Sequence, residues 1–109
     1  MENYKQAVRL RIYLSEDEKY QHKPLYEEIV KKARELNLAG ATVTRGIMGY
    51  GAGSPIHSAK FIRLNEDLPI IIEIVDREAN IKTLMPYLKK RLQTGCVTLE
   101  NLFLLPIGR

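Results

Sequence analysis

Hydrophobic and polar residues alternate strictly along residues 7–14. The apolar positions on one side of this pattern are Val8, Leu10, Ile12 and Leu14. The positions between them are Arg9, Arg11 and Tyr13. Because successive side chains of a strand point to opposite faces, this pattern predicts a half-buried strand. An acidic loop over residues 15–23 follows it.

The next segment changes to helical spacing. Its apolar residues recur every three or four positions: Leu25, Ile29, Ala33 and Leu36. Pro24 suits the first turn of a helix, where its missing N–H costs nothing, and Gly40 is the expected stop. The sequence therefore predicts a helix between these two residues. A second strand is expected over residues 41–48, which are rich in β-formers.

The second half of the chain repeats this order of elements. Residues 70–76 are apolar on both faces except at Glu73, which predicts a strand covered on both sides. A helix follows, which we expect Asn80 to cap and Gly95 to stop. Its apolar stripe consists of Ile81, Leu84, Met85, Leu88 and Leu92. Residues 97–105 supply the last strand.

This order of elements predicts the fold class. Two strand-helix-strand units with right-handed crossovers give an α+β, ferredoxin-like β-α-β-β-α-β sandwich. Its four-stranded antiparallel sheet carries both helices on one face, and the first and third strands lie side by side at the centre. We expect one domain over residues 1–109.

The sheet face without helices is the first candidate interaction surface. Its apolar and aromatic positions are Tyr13, Ile71 and Val75. Such a patch facing water predicts an oligomer whose sheets face one another. Glu73 would then neutralise Arg9 or Arg11. The alternative is a surface ion pair on a monomer.

The composition of the chain limits which ligands and which cellular location we expect. The formal charge of +4 and the pI near 9.3 suit an anionic ligand but are too mild to indicate nucleic acid. No run approaches the roughly 18 apolar residues of a membrane helix, and no signal-peptide pattern is present, so we expect a cytoplasmic protein. Cys96 is the only cysteine, which excludes an internal disulfide, and we expect it to be a small buried residue.

Residues 46–53 form the richest motif. They contain four glycines, whose backbone N–H groups can turn toward an anion such as a phosphate. The motif is not a dinucleotide fingerprint, because Pro55 and a strand-like run follow where a helix should begin. It is not a P-loop either, since the Gly-Lys-Ser/Thr ending is missing. A mobile hairpin linker is the alternative.

Cationic and titratable residues flank this loop. Arg45 directly precedes it, and the residues beyond it are His57, Lys60 and Arg63. These side chains could close around a phosphate. For Arg45 the alternative is an ion pair with an acid, such as Glu66 or Asp67, that only holds the loop in place. Residues 60–64 alternate again and predict a hairpin arm.

Two other classes of function fit poorly. Residues 48–52 resemble the core of an RNA-recognition motif, but Met48 stands where Lys or Arg is required and the later aromatics are absent. Small phosphatases of this fold carry an anion loop after the first strand, where this chain has Ser15 and the acidic residues 16–18, which would repel a phosphate. His57 with Ser54 or Ser58 lacks an orienting acid, so we expect no enzyme.

Five segments together resemble a bacterial and archaeal family of PII-like proteins. They are Arg-Ile-Tyr-Leu (11–14), Pro-Leu-Tyr (24–26), Leu-Ala-Gly-Ala-Thr-Val-Thr-Arg-Gly (38–46), Gly-Tyr-Gly (49–51) and Glu-Asp-Leu-Pro-Ile (66–70). The run over 38–46 is the specific part. The likeness spans residue 7 to about residue 105.

The resemblance implies a homotrimer with its sheets facing inward and an adenine nucleotide, ATP or ADP, in the clefts between subunits. Residues 49–64 would act like the T-loop with which PII proteins grip a protein partner such as a membrane channel or transporter. The candidate nucleotide-binding residues are Thr44, Arg45, Gly46, Gly49, Gly51, His57, Lys60 and Gly95. PII proteins carry a glycine-rich phosphate loop after the second helix, where this chain has only Gln-Thr-Gly at 93–95. The alternative is a PII-like trimer that binds a metal ion or another small anion, as in divalent-cation tolerance proteins.

Overall fold

A computed structural model of the chain describes residues 3–51 and 68–108. Its elements in chain order are β1 (Lys5–Ser15), β2 (Lys19–Tyr20), β3 (Lys23–Pro24), α1 (Leu25–Glu35), β4 (Thr42–Arg45), β5 (Pro69–Asp76), α2 (Glu78–Arg91) and β6 (Cys96–Leu104). The predicted hairpin arm over 60–64 lies outside the described residues. Within them, neither helix is long and apolar enough to cross a membrane.

The four long strands form one antiparallel sheet in the order β4-β5-β1-β6, which confirms the ferredoxin-like fold. As predicted, the first and third strands of this sheet, β1 and β5, lie side by side at its centre. Their register pairs Val8 with Asp76 at one end and Ser15 with Pro69 at the other. Among the strands of the described residues, β2 and β3 pair with each other and form a short hairpin across the second half of the predicted acidic loop and Pro24.

One face of the sheet packs against both helices and forms the core. The side chains buried almost completely in this layer are Leu10, Ile12, Leu25, Ile29, Ile70, Ile72, Ile74, Ile81, Leu84 and Leu88. Full burial of such a side chain contributes about 1.5–3 kcal/mol, so this layer is the main source of stability. Within one chain, β5 alternates between buried and half-buried residues, so only one of its faces is covered.

The ends of α1 and β4 differ from the sequence prediction. α1 ends at Glu35 rather than near Gly40, because Asn37 takes a left-handed φ of 63° and turns the chain away. β4 ends at Arg45 rather than at residue 48. The N–H of the next residue, Gly46, bonds to the backbone oxygen of Pro69, and the chain then leaves the sheet.

A buried carboxylate, Asp76, organises the start of α2. The prediction that Asn80 caps this helix is wrong, since α2 already begins at Glu78. The Asp76 carboxylate accepts hydrogen bonds from Ala39 N (2.9 Å), Arg77 N (2.7 Å) and Asn80 Nδ2 (3.0 Å). Burial acts to raise the pKa of Asp76, but these hydrogen bonds outweigh it and hold the pKa below its ordinary value.

The turn between α2 and β6 contains two further departures. α2 ends at Arg91, so Gly95 is not the residue that stops it. Gly95 instead takes a φ of 89° just before β6, and a Cβ on it would lie 1.9 Å from the backbone oxygen of Tyr13. The prediction that Cys96 is buried is wrong, because Cys96 begins an edge strand and is exposed in the single chain.

The Asp76→Asn variant should lower the free energy of unfolding by about 1–3 kcal/mol at neutral pH, the cost of weakening bonds to a buried charged acceptor. A group whose pKa falls on folding contributes stability above its unfolded value, about 3.9 for aspartate. The difference between wild type and variant should therefore shrink as the pH falls through the folded pKa of Asp76. Urea unfolding from pH 7 to pH 3 measures this, with the exposed Glu78→Gln as control. A difference that stays constant with pH would contradict it.

The Gly95→Ala variant should lose about 2 kcal/mol or more of stability, because alanine disfavours the left-handed backbone and its Cβ would clash with β1. Gly40→Ala is the matched control, since a Cβ there meets nothing within 4 Å. Thermal unfolding of the two variants should show a clear drop for the first and little change for the second. Equal melting temperatures would show that the Gly95 backbone is not constrained as described.

Candidate functional site

Four strand termini meet at one end of the sheet. β1 and β4 end there, and β5 and β6 begin there. This arrangement brings together three connecting segments. They are the loop root (Arg45, Gly46, Gly49, Leu68 and Pro69), the acidic turn (residues 15–18) and the α2–β6 turn (residues 93–95).

The loop root is a close contact between the two sides of the long β4–β5 connection. Gly46 N donates to the backbone oxygen of Pro69 at 2.7 Å. A Cβ on Gly46 would lie 2.7 Å from Pro69 Cγ, and one on Gly49 would lie 3.1 Å from the same atom. Both glycines therefore allow the backbone to pass close to the proline ring.

The acidic turn binds both sides of the loop root through Glu16. Its backbone N–H donates to the oxygen of Leu68 at 2.9 Å, and its carboxylate forms an ion pair with Arg45 Nη2. The Arg45 side chain is still 56% exposed, so it can reach other anions. The structure thus contains an ion pair of the kind given as the alternative for Arg45, with Glu16 as the acid. The two acids named as examples, Glu66 and Asp67, lie outside the described residues.

The same turn binds the α2–β6 turn through Glu18. The Glu18 carboxylate accepts hydrogen bonds from Gln93 N and Thr94 Oγ1, both at 3.1 Å. Its backbone oxygen accepts the N–H of Leu25 at 2.9 Å, which also fixes the start of α1. Two carboxylates of one short segment therefore bind the donor groups of two different connections.

Thr44 lies on the other face of the sheet from Arg45. Arg45 is opposite the buried Ile70, whereas Thr44 is opposite the half-buried Ile71. This is the face without helices, which we call the open face. A groove of about 330 Å³ on it is lined by Arg11, Tyr13, Thr42, Thr44, Ile71 and Glu73. Thr44 therefore belongs to the open face rather than to the loop root.

Ion pairs neutralise charge across the open face. Arg11 Nε bonds to Glu73 Oε1 at 3.2 Å, and this hydrogen bond raises the pKa of the Arg11 guanidinium. Arg9 Nη2 bonds to Glu100 Oε1 at 2.6 Å, which lowers the pKa of that carboxyl. The sequence predicted that Glu73 pairs with Arg9 or Arg11, and the structure selects Arg11.

The structure brings some of the predicted site residues together. Arg45, Gly46 and Gly49 lie at the loop root, and Gly95 lies in the α2–β6 turn at the same end of the sheet. Gly51 is exposed near the start of the connection. The remaining candidates, His57 and Lys60, lie outside the described residues.

Sequence reasoning missed a cation stacked on tyrosine at this end of the molecule. The guanidinium of Arg91 lies 4.1 Å from the ring centroid of Tyr20 and 5.0 Å from that of Tyr87. Arg91 Nε is buried and has no hydrogen-bond partner among the described residues. No sequence signal indicated this contact, because Tyr20 belongs to the unpredicted β2–β3 hairpin.

The described residues offer no cluster of metal ligands. Among residues 3–51 and 68–108, no three histidine, cysteine, aspartate or glutamate side chains lie close enough to hold a metal ion. The groups suited to a ligand at this end of the sheet are instead anion donors: the guanidinium of Arg45, the N–H of Gln93 and the hydroxyl of Thr94.

Comparison with known proteins identifies the family of this chain. Residues 7–103 match the family DUF190, described as uncharacterized ACR. A UPF0166 protein of Aquifex aeolicus is 41% identical over 92 residues, which cover 84% of this chain and 87% of the relative.

Among solved structures, CPII from Thiomonas intermedia K12, bound to ADP and bicarbonate, has a TM-score of 0.65 at 17% identity, covering 94% of this chain and 92% of its own. The B. subtilis GlnK-ATP complex has a TM-score of 0.57 at 17% identity, and the match covers 89% of this chain and 82% of the GlnK chain. The chain belongs to the DUF190 family and has the fold of PII-like proteins.

Proposed function

We propose that this protein is a PII-like regulatory protein. It binds an adenine nucleotide, ATP or ADP, in the clefts between the subunits of a homotrimer. It signals the bound state through residues 49–64 to a protein partner. Two proteins that share its fold are complexes with ADP or ATP, which supports the choice of ligand.

The observation that carries this proposal is the position of Arg45. Its guanidinium lies at the root of the β4–β5 connection, is more than half exposed, and already binds an anionic group, the carboxylate of Glu16. A phosphate accepts the same donors with more charge. Nucleotide bound there would contact a residue at the loop root, four positions before the proposed signalling segment begins at Gly49, and binding would thereby be coupled to that segment.

The open face of the sheet favours the proposed assembly with further copies of the chain. Tyr13, Ile71 and Val75 are only half-buried in the single chain. Beside them, Arg11 is paired with Glu73 and Arg9 with Glu100. A second copy can therefore cover the centre of this face without burying any of these four charges unpaired, which would be the main penalty for burying ionised groups.

We expect light scattering at micromolar concentration to give the mass of three subunits. Ile71→Lys should reduce this to one subunit, because a lysine in the centre of the covered face would be buried without a partner. Ile107→Lys, at a site that is 86% exposed in the C-terminal tail, is the control and should remain trimeric. A wild-type mass of one subunit would exclude the proposed assembly.

Calorimetric titration should show that Arg45→Ala binds ATP and ADP about tenfold or more weakly than wild type, the effect of removing a hydrogen bond to a charged group. Its melting temperature should fall only modestly, because the ion pair with Glu16 is partly open to water and such pairs contribute about 1 kcal/mol. Arg34→Ala removes the same charge from the far end of α1 and should bind normally. Unchanged affinity with a lowered melting temperature would assign Arg45 to structure alone.

A further inference from the structure

Two carboxylates of the acidic turn bind donor groups that are suited to an anionic ligand. The Glu16 carboxylate binds the Arg45 guanidinium, and the Glu18 carboxylate binds Gln93 N and Thr94 Oγ1 at 3.1 Å each. These are the described anion donors of the loop root and of the α2–β6 turn. In the single chain, both sets are thus engaged by carboxylates only two residues apart.

A carboxylate and a phosphate compete for such donors, since both accept hydrogen bonds through anionic oxygens. We propose that Glu16 and Glu18 are internal competitors of the nucleotide phosphates, so that the ligand binds by displacing one or both carboxylates. This inference rests on the proposed function. It adds that the carboxylates of the acidic turn lower the affinity for nucleotide, and that a phosphate bound to Arg45 displaces Glu16.

The backbone of the acidic turn is held independently of the two carboxylates. Glu16 N bonds to the oxygen of Leu68 at 2.9 Å, and Glu18 N bonds to the oxygen of Ser15 at 3.2 Å. The Ser15 hydroxyl also donates to the Asp17 carboxylate. Rotating the side chain of Glu16 or Glu18 away from its donors therefore leaves these backbone bonds in place.

The ion pair between Arg45 and Glu16 is weak enough for a phosphate to displace the carboxylate. The Arg45 side chain is 56% exposed and that of Glu16 is 22% exposed, so water reaches this ion pair from the Arg45 side and weakens it by screening. A nucleoside diphosphate or triphosphate brings several negative charges to the same donors. Arg91 adds a nearby cation whose Nε lacks a hydrogen-bond partner among the described residues.

The test is calorimetric titration of Glu16→Gln, Glu18→Gln and the double variant with ATP, ADP and AMP. Glutamine keeps the size of the side chain and an acceptor oxygen but removes the competing charge. Each single variant should bind ATP and ADP about threefold more tightly than wild type, and the double variant about tenfold, the size expected for losing weak ion-pair competition. The gain should be smaller for AMP, which has fewer phosphate charges.

Glu78→Gln is the matched control. It removes one negative charge from an exposed pair with Lys82 at the other end of the sheet, and its affinity should stay within about twofold of wild type. Melting temperatures without nucleotide show whether each variant is folded; a single variant that fails to fold is replaced by Glu→Ser at the same position.

The outcomes separate this inference from the proposed function. If wild type binds nucleotide and the glutamine variants bind no more tightly, the acidic turn is not a competitor, while the nucleotide site stands. If neither wild type nor the double variant binds, the proposed function fails, and this inference with it. Binding by the double variant alone would support the competition directly.

Discussion

The pairing of β1 with β5 determines where every part of the candidate site lies. Its register sets Ser15 opposite Pro69, so the residues that follow β1 must emerge beside those that precede β5. The acidic turn therefore contacts the loop root. β6 pairs with the other side of β1 and begins opposite Tyr13, which places the α2–β6 turn against the same segment. A slip of one residue would turn every buried side chain of β1 to the open face, so the core itself maintains this register.

Hydrophobic periodicity was sufficient to predict the fold. The alternation along β1 and the helical stripes of α1 and α2 reflect burial, which dominates the energetics of a domain of this size. Element ends were less predictable, because single hydrogen bonds and backbone angles decide them. Asn37 ends α1 through a left-handed φ that glycine was expected to supply, and Asp76 binds the first turn of α2 from outside the helix.

The site was predictable only in part, for a related reason. Arg45, Gly46 and Gly49 were identified because they adjoin one another in sequence and carry recognisable chemistry. Glu16 and Glu18 were interpreted only as charges that repel a phosphate. Their actual partners lie 29 and 75 residues further along the chain, and only the strand register brings them within reach. Charge by itself does not indicate which donor a carboxylate will contact.

The contact between Gly46 and Pro69 has a consequence for the modularity of the protein. Gly46 N bonds to the backbone oxygen of Pro69, and the two backbones touch at this point, so the intervening connection leaves and rejoins the sheet at one place. Proline at the start of a strand has no N–H with which to extend the ladder, which limits how far β4 can pair. We therefore expect the sheet to tolerate connections of different length between these two points, because added residues in a flexible loop change its closure entropy only slowly. Arg45, which directly precedes the contact, should then keep its position.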